Sequence, residues 1–234
     1  MSDKVGKIQE ALRQQGFDPG DVDGVWGRKT IAAVRAFQAA KGLEVDGVVG
    51  PQTAGALLGA GSGGGAMTSG PLVWFDEARR LFGTKEKPGR GSNPDILEWA
   101  ADLDIHYPSD DIPWCGLFVA HCIGSTLTQE PLPKNPLSAR AWEKSGRSVE
   151  PQLGAVLVFW RKSKDSGLGH VGFYKGEDEH AYHVLGGNQS DSVSVARVGK
   201  DRLLGARWPA TAASLSSTPV HLAAGTSSFS FNEA

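Results

Sequence analysis

The segment DDIPWCGLFVAHCIG, residues 110–124, predicts the helix around which the larger part of this chain is built. Asp110 or Asp111 can cap this helix, and Pro113 suits its first turn, where a missing N–H leaves no backbone bond unmade. An inward face at helical spacing is formed by Phe118, Val119, Cys122 and Ile123. The pattern therefore predicts a buried helix that carries Cys115 in its first turn.

Beyond Gly154, short apolar runs separated by turns replace the helical spacing. The predicted strands are AVLVFWR (155–161), GHVGFYKG (169–176), HAYHVLGGN (180–188), SVSVARV (192–198) and LLGARWP (203–209). Two further helices are predicted upstream, one near residues 74–82 and one over 94–103, for which Asn93 is the expected cap. Helices followed by an antiparallel sheet indicate an α+β fold.

A separate module is predicted at the N-terminus, because residues 22–30 (VDGVWGRKT) and 45–53 (VDGVVGPQT) repeat one pattern. Each copy combines an Asp-Gly turn with the start of a helical pattern. A first helix over residues 5–16, VGKIQEALRQQG, precedes both copies and ends at Gly16. Together the three helical patterns predict a small three-helix bundle over residues 1–59.

Four residues of the repeats have specific expected roles. Gly27 and Gly50 are expected to adopt backbone angles that other residues avoid. Thr30 and Thr53 are expected to cap the helix that follows each turn, because a threonine hydroxyl can accept a bond from an unpaired N–H in the first turn.

The residue composition of the segments on either side predicts where the second domain begins and ends. Residues 60–70, AGSGGGAMTSG, are predicted to form a flexible linker because glycine and serine favour no single conformation. Residues 71–209 contain the helices and strands described above. Residues 210–234 are rich in small polar side chains and are predicted to form a low-complexity mobile tail.

The overall composition excludes several functional classes. The net charge is −2 and no block of lysines or arginines occurs, so neither nucleic acid nor an anionic membrane is an expected partner. No apolar stretch approaches the length of a membrane span, and the N-terminus lacks the apolar core of a signal peptide. We therefore expect synthesis in the cytoplasm and, for an external substrate, delivery by another system.

The two cysteines are expected to be free thiols, since seven residues of helix separate them by a rise of about 10.5 Å, too far for a disulfide. A nucleophilic cysteine needs a lowered thiol pKa, which a helix N-terminus and a neighbouring histidine both favour. Cys115 meets the first condition. His170, at the start of a predicted strand, is the candidate base, with His183 as a weaker alternative. Asn188, at the end of the next strand, is the candidate for orienting the base.

Residues 4–58 resemble the peptidoglycan-binding domain of bacterial and phage cell-wall enzymes. The resemblance is carried by the two D-G-V-x-G-x-x-T repeats, by the A-V-R-A-F-Q run, and by Ile8, Gln9, Leu12 and Gly16. It implies that this module binds peptidoglycan. Trp26 and Arg35 are the candidate wall-binding residues, with Phe17 as a third candidate, although Phe17 and Trp26 also suit the core.

Residues 74–209 resemble the CHAP-type, NlpC-like cysteine amidases and peptidases of phage endolysins and bacterial autolysins. The motifs are P-W-C-G-L-F-V, L-G-A-V-L-V-F, G-H-V-G-F-Y and L-G-G-N-Q, in that order. The resemblance implies a papain-like fold, with Cys115 as nucleophile, His170 as base and Asn188 as orienting residue. Many such enzymes carry a glutamate shortly before the asparagine, whereas Gly186 and Gly187 occupy that stretch here. The candidate substrate-binding residues are Trp114, Trp160 and Gln189.

No cofactor is expected from the sequence. Some CHAP enzymes bind calcium in an acidic loop before the nucleophile, and the loop from Asp102 to Asp111 has aspartates at D-x-D spacing. A solvated acidic loop is the favoured interpretation, because no complete metal-loop pattern occurs.

The predicted function is hydrolysis of an amide in peptidoglycan, either between muramic acid and L-alanine or within the stem peptide. We expect a monomer that acts in the periplasm or cell wall, either as a phage endolysin released through a holin lesion or as an antibacterial effector injected by a secretion machine, with an immunity protein as a further partner. Alternatives are a non-catalytic wall-binding protein and a papain-like transglutaminase or deamidase.

Overall fold

The computed structural model describes residues 4–24, 26–43, 45, 47, 49, 51–58, 72–89, 91–213 and 219–222. The chain divides into two compact units. One contains residues 1–73 with 213–215, and the other contains residues 74–212 with 216–234. The predicted linker, residues 60–70, lies outside the described residues.

The N-terminal unit contains the three predicted helices: α1 (Lys4–Gln14), α2 (Arg28–Ala40) and α3 (Pro51–Leu58). Leu12, Val34 and Phe37 are fully buried and form the centre of its core. Gly16 follows α1 with a φ of +86°, a conformation in which only glycine avoids a steric penalty, so it ends the helix as predicted.

The repeats are held by two buried glutamines in equivalent places. The Gln9 amide oxygen accepts a bond from the Gly24 N–H at 2.8 Å, and its nitrogen donates to the Thr30 hydroxyl at 3.1 Å. Gln38 bonds to Gly47 and Thr53 at the same two distances. Each glutamine therefore joins an Asp-Gly turn to the helix that follows it.

The prediction that Thr30 caps α2 is wrong. Gly27 is the cap residue of that helix and makes no side-chain cap bond, while Thr30 lies two residues inside the helix and is directed at Gln9. The unusual angle predicted for Gly27 is also absent, since its φ is −93°. Among the described residues of the two repeats, the left-handed glycines are those of the Asp-Gly turns, Gly24 and Gly47. Gly50 lies outside the described residues.

The second unit is α+β, as predicted. Its α-helices are α4 (Val73–Arg80), α5 (Pro94–Ala101) and α6 (Cys115–Thr126), with short 3₁₀ turns at Ala139–Lys144, Lys164–Ser166 and Lys200–Arg202. Its strands are β1 (Arg147–Val149), β2 (Val156–Trp160), β3 (Gly169–Glu177), β4 (Ala181–Gly186), β5 (Ser194–Gly199) and β6 (Leu203–Trp208). They form one antiparallel sheet in the order β1-β6-β2-β3-β4-β5.

Helix α6 packs against β3, and ten of its twelve residues are buried. The rings of Phe118 and Phe173 meet edge to face across this contact, with centroids 6.0 Å apart. Because α6 is enclosed on nearly every side, its sequence is apolar around the whole helix rather than along one stripe. Cys115 is the first residue of α6, as predicted.

Of the helix caps predicted for α5 and α6, the first is confirmed and the second is wrong. Asn93 caps α5 as predicted, and its side-chain oxygen accepts a bond from the Asp95 N–H at 2.9 Å. The aspartate cap predicted for α6 is wrong, since Trp114 is the cap residue and makes no side-chain cap bond. Asp110 is buried and instead accepts bonds from the N–H groups of Lys87 and Asn93.

Parts of the predicted C-terminal tail are attached to the second unit. The Glu130 carboxylate accepts bonds from the N–H groups of Ala210 and Thr211, both at 2.8 Å. Further on, Leu222 donates to the Glu177 carbonyl at 2.8 Å. Residues 220–222 thus pair with the end of β3.

Candidate active site

The structure brings Cys115 next to the strand that carries His170. The Cys115 thiol is buried at the start of α6, and the backbone N–H of Val171, the residue after His170, is directed at it. The N–H of Gly116, on α6, is also directed at the thiol. Two elements distant in sequence therefore meet at the sulfur.

Burial raises the pKa of the Cys115 thiol above its ordinary value of 9.0. The bonds from Val171 and Gly116 and the charge of Arg161 lower the pKa, but by less than burial raises it. The sequence led us to expect a lowered pKa at this helix N-terminus, and the structure gives the opposite direction. The reason is that the helix N-terminus is itself inside the core, where a thiolate loses its hydration.

His170 is fully buried on β3, opposite Phe159 of β2. Its Nε2 atom lies 3.0 Å from the Oε1 atom of Gln189. The Gln189 amide nitrogen faces three backbone carbonyl oxygens, those of Ser194 at 2.6 Å, Gly186 at 3.2 Å and Val184 at 3.3 Å. Gln189 thus connects the ring of His170 to the ends of two strands.

Asn188 has a different set of partners. With its amide oriented to satisfy both neighbours, its nitrogen donates to Glu86 Oε1 at 3.2 Å and its oxygen accepts from the Trp114 backbone N–H at 3.1 Å. The same Glu86 oxygen accepts a bond from the Trp114 indole N–H at 2.6 Å. Asn188 and Glu86 therefore hold the residue directly before Cys115.

Glu86 is the site residue that sequence reasoning missed. It lies in the loop after α4, and its N–H donates to the Asp191 carbonyl at 2.9 Å, which brings that loop to the site. Burial raises the Glu86 pKa, and the nearby carboxylates of Asp191 and Asp110 add to that effect. No local motif marks Glu86, because its partners lie 28 and about a hundred residues further along the chain.

Gly186 and Gly187, at the positions where many CHAP enzymes carry a glutamate, are closely packed. A Cβ on Gly187 would lie 2.6 Å from the Phe118 Cβ and 2.7 Å from the Trp114 ring. A Cβ on Gly186 would lie 3.0 Å from Gln189 Oε1 and 3.2 Å from His170 Nε2. A side chain at Gly187 therefore cannot fit between α6 and this loop, and the carboxylate that lies next to Asn188 and Trp114 is that of Glu86.

The candidate substrate-binding residues differ in how deeply they are buried. Trp114 and Gln189 are buried and committed to the contacts above, so neither presents a surface to a substrate. Trp160 is half-buried at the end of β2, and its indole N–H donates to the Asp201 carbonyl at 3.3 Å. The guanidinium of Arg202 covers its ring, 5.9 Å from the centroid.

The other candidate bases and thiols serve packing. His183 lies 2.8 Å from the Asp178 carboxylate, which also binds Arg197. His121 lies 3.2 Å from Glu77. Cys122 is fully buried, and burial raises its pKa well above 9.0. Both cysteines are free, as predicted.

The wall-binding candidates of the N-terminal unit also differ in exposure. Trp26 is a core residue, with 3% of its surface exposed. Arg35 is half-buried, and its side chain crosses the Asp-Gly turn so closely that a Cβ on Gly47 would lie 2.8 Å from its Nε atom. Phe17 packs edge to face on Phe37. Arg35 and Phe17, both half-buried, therefore remain the partly exposed candidates.

Within the part of the chain that the structure describes, no group of three or more His, Cys, Asp or Glu side chains is arranged to hold a metal ion. The acidic loop from Asp102 to Asp111 is inside that part. No helix among the described residues has both the length and the apolar character needed to cross a membrane.

Comparison with known proteins gives a family match for the first unit. Residues 1–57 match the family described as "Putative peptidoglycan binding domain", which covers the three helices and both repeats. The match supports a peptidoglycan-binding domain at this end of the chain and, with it, association with the bacterial cell wall.

One curated relative is an uncharacterized protein in the bpoA1 3′ region of Kitasatospora aureofaciens. It is 61% identical over 33 residues, which are 14% of this chain and 28% of that protein. The chain thus spans little more than a quarter of this relative. No solved structure matches the chain.

Proposed function

We propose that the second unit is a cysteine-dependent peptidoglycan hydrolase that cleaves an amide bond, either between muramic acid and L-alanine or within the stem peptide. The observation that carries the proposal is the meeting of Cys115, at the start of α6, with β3, the strand that carries His170 as its second residue. A cysteine thiol and a histidine imidazole are the two groups that acyl transfer of this kind requires, and both are buried on elements that pack together. The resemblance to papain-like cell-wall enzymes supports the same chemistry.

The proposed reaction runs in two stages. His170 takes the proton of the Cys115 thiol as the sulfur attacks the carbonyl carbon of the amide, and the protonated ring then gives that proton to the departing amine. Water, deprotonated by His170, attacks the resulting thioester and releases the acid and the free thiol. The N–H groups at the start of α6 are suited to bind the oxygen that becomes negative in each stage.

The raised pKa of Cys115 favours a neutral thiol in the resting enzyme. Proton transfer is then part of the attack itself, in contrast to a preformed thiolate–imidazolium pair. A bound substrate excludes water from the site. The neutral thiol would still be favoured then, because low polarity disfavours two separated charges.

The N-terminal domain supports peptidoglycan as the substrate. A peptidoglycan-binding domain on the same chain raises the concentration of wall peptide around the second unit and so favours peptidoglycan over a protein substrate. Release by a phage lysis system or by a secretion machine stays a prediction.

The test compares two variants of the two cysteines. Cys115→Ala should abolish the release of soluble fragments from purified sacculi, while Cys122→Ser, in the same helix, should retain hydrolysis with a lower melting temperature. Mass spectrometry of the wild-type products would identify the bond from their new ends. Hydrolysis by Cys115→Ala at the wild-type rate would exclude Cys115 as the nucleophile.

A further inference from the structure

We propose that Gln189, rather than Asn188, is the positioning residue of this site, and that it fixes the tautomer and the tilt of the His170 ring. The inference rests on the proposed function, since it concerns the base of that reaction. It assigns the two neighbouring amides to separate tasks, which their order in the sequence does not distinguish.

The orientation of the Gln189 amide is determined by its surroundings. Its nitrogen faces the carbonyl oxygens of Val184, Gly186 and Ser194, all of which can only accept hydrogen bonds. Rotating the amide by 180° would place its oxygen against those three oxygens. The amide oxygen is therefore held towards His170.

This orientation determines which nitrogen of His170 carries the proton. An amide oxygen only accepts hydrogen bonds, so the Nε2 atom that lies 3.0 Å from it must be the protonated nitrogen. In the neutral ring the other nitrogen, Nδ1, is then the basic one. Nδ1 is the atom that receives the Cys115 proton in the proposed reaction.

The loop that carries Gln189 is built to keep it in place. Asn188, Ser190 and Asp191 all have left-handed backbones, with φ of 55°, 52° and 56°, which non-glycine residues adopt only when the surroundings compensate. The Gln189 N–H donates to the Ser192 carbonyl at 2.9 Å, and the Ser192 hydroxyl donates to the Gln189 carbonyl at the same distance. Such strain next to a candidate base indicates that the position of Gln189 is specified.

Asn188 contacts the residues next to Cys115 rather than the ring of His170. Its amide joins Glu86 to the backbone N–H of Trp114, directly before Cys115. Loss of the Asn188 side chain should therefore disturb the start of α6, whereas loss of the Gln189 amide should disturb the imidazole.

The experiment uses the full chain labelled with ¹⁵N in histidine, with His170 assigned by comparison with His170→Gln. Long-range ¹H–¹⁵N spectra near pH 7.5 report which ring nitrogen of each histidine carries a proton. Wild type should show His170 as the Nε2–H tautomer. Gln189→Met, which keeps the length but removes the amide, should populate both tautomers, while Asn188→Gly, which suits the left-handed backbone, should keep the wild-type tautomer.

Hydrolysis is measured on the same proteins. Gln189→Met should lower kcat about 100-fold with little change in KM, because a positioned base contributes roughly 10²–10⁴ to the rate. An Nδ1–H tautomer in wild type would overturn the proposal, even if Gln189→Met does not fold. A folded Gln189→Met with wild-type tautomer and kcat would also overturn it.

A failure of the proposed function would give a different result from a failure of the Gln189 assignment. In that case Cys115→Ala would hydrolyse sacculi as wild type does, whatever tautomer His170 adopts. Loss of hydrolysis in Cys115→Ala, together with an Nδ1–H tautomer in wild type, would reject the role of Gln189 alone.

Discussion

The Nε2 atom of His170 and the Oε1 atom of Gln189 lie 3.0 Å apart, between a strand and the loop that closes the next hairpin. The partner is a neutral amide, whereas a carboxylate would add a negative charge to this buried site. An amide can orient an imidazole but stabilises an imidazolium less than a carboxylate does. This relationship agrees with a resting site in which the Cys115 thiol stays protonated.

The reactivity of the thiols should follow from that resting state. Because burial raises the pKa of Cys115, its alkylation by iodoacetamide should accelerate continuously as the pH is raised from 7 towards and beyond 9. Cys122, with a pKa raised further and no exposed surface, should react more slowly at every pH. Mass spectrometry of modified peptides measures both rates. A fast rate at Cys115 that is constant from pH 6 to 8 would instead indicate a thiolate–imidazolium pair.

Gly187→Ala should destabilise the second unit and reduce hydrolysis. Its Cβ would enter the space held by Phe118 and the Trp114 ring, and overpacking of this kind costs about 1–3 kcal/mol. Urea unfolding measures the loss of stability, and fragment release measures activity. Gly205→Ala is the matched control, since its nearest neighbour, Arg207 Nε, would be 3.9 Å away. Equal stability of the two variants would contradict the packing argument.

Glu77→Gln should lower the free energy of unfolding at pH 7 by about 2 kcal/mol, the scale of hydrogen bonds to a charged group. Burial alone would raise the Glu77 pKa, but the bonds from Arg80 and His121 lower it from 4.5 to about 2. The folded-state pKa lies below the unfolded value. The carboxylate therefore contributes its full stability above pH 4.5, and that stability is lost as the pH falls towards 2.

Denaturation of wild type and Glu77→Gln across this pH range provides the measurement. The difference between the two proteins should shrink below pH 4.5 and vanish near pH 2. Asp76→Asn is the control on the same helix, because its pair with Arg79 is exposed and such pairs contribute little. A difference that stays constant with pH would refute the assignment to the Glu77 charge.

The two units should be separable in function. Residues 1–59 alone should sediment with insoluble peptidoglycan without hydrolysing it. Residues 71–234 should retain activity on soluble muropeptides but lose much of it on intact sacculi, where tethering raises the local substrate concentration. Equal activity of the full chain and residues 71–234 on sacculi would argue against a targeting role for the N-terminal domain.

Most of the elements could be predicted from the sequence because their signals are local. Helical spacing located α1, α2, α5 and α6, and Asn93 marked the start of α5 through a bond to a residue two positions away. The strand β1 was missed, since its three residues carry no alternating pattern and exist as a strand only by pairing with β6. The caps predicted for α2 and α6 were wrong because each polar side chain has a stronger partner elsewhere in the fold.

The sequence by itself determined the two-part organisation, the α+β class of the second unit, the place of Cys115 at a helix start and the candidacy of His170. Each of these depends on residues close together in the chain. Only the tertiary structure decided that Gln189 holds His170, that Asn188 and Glu86 hold Trp114, and that burial raises the pKa of Cys115. Hydrogen-bond partners and desolvation depend on which distant segments meet. The adjacent amides of Asn188 and Gln189 therefore have different partners, which only the folded backbone defines.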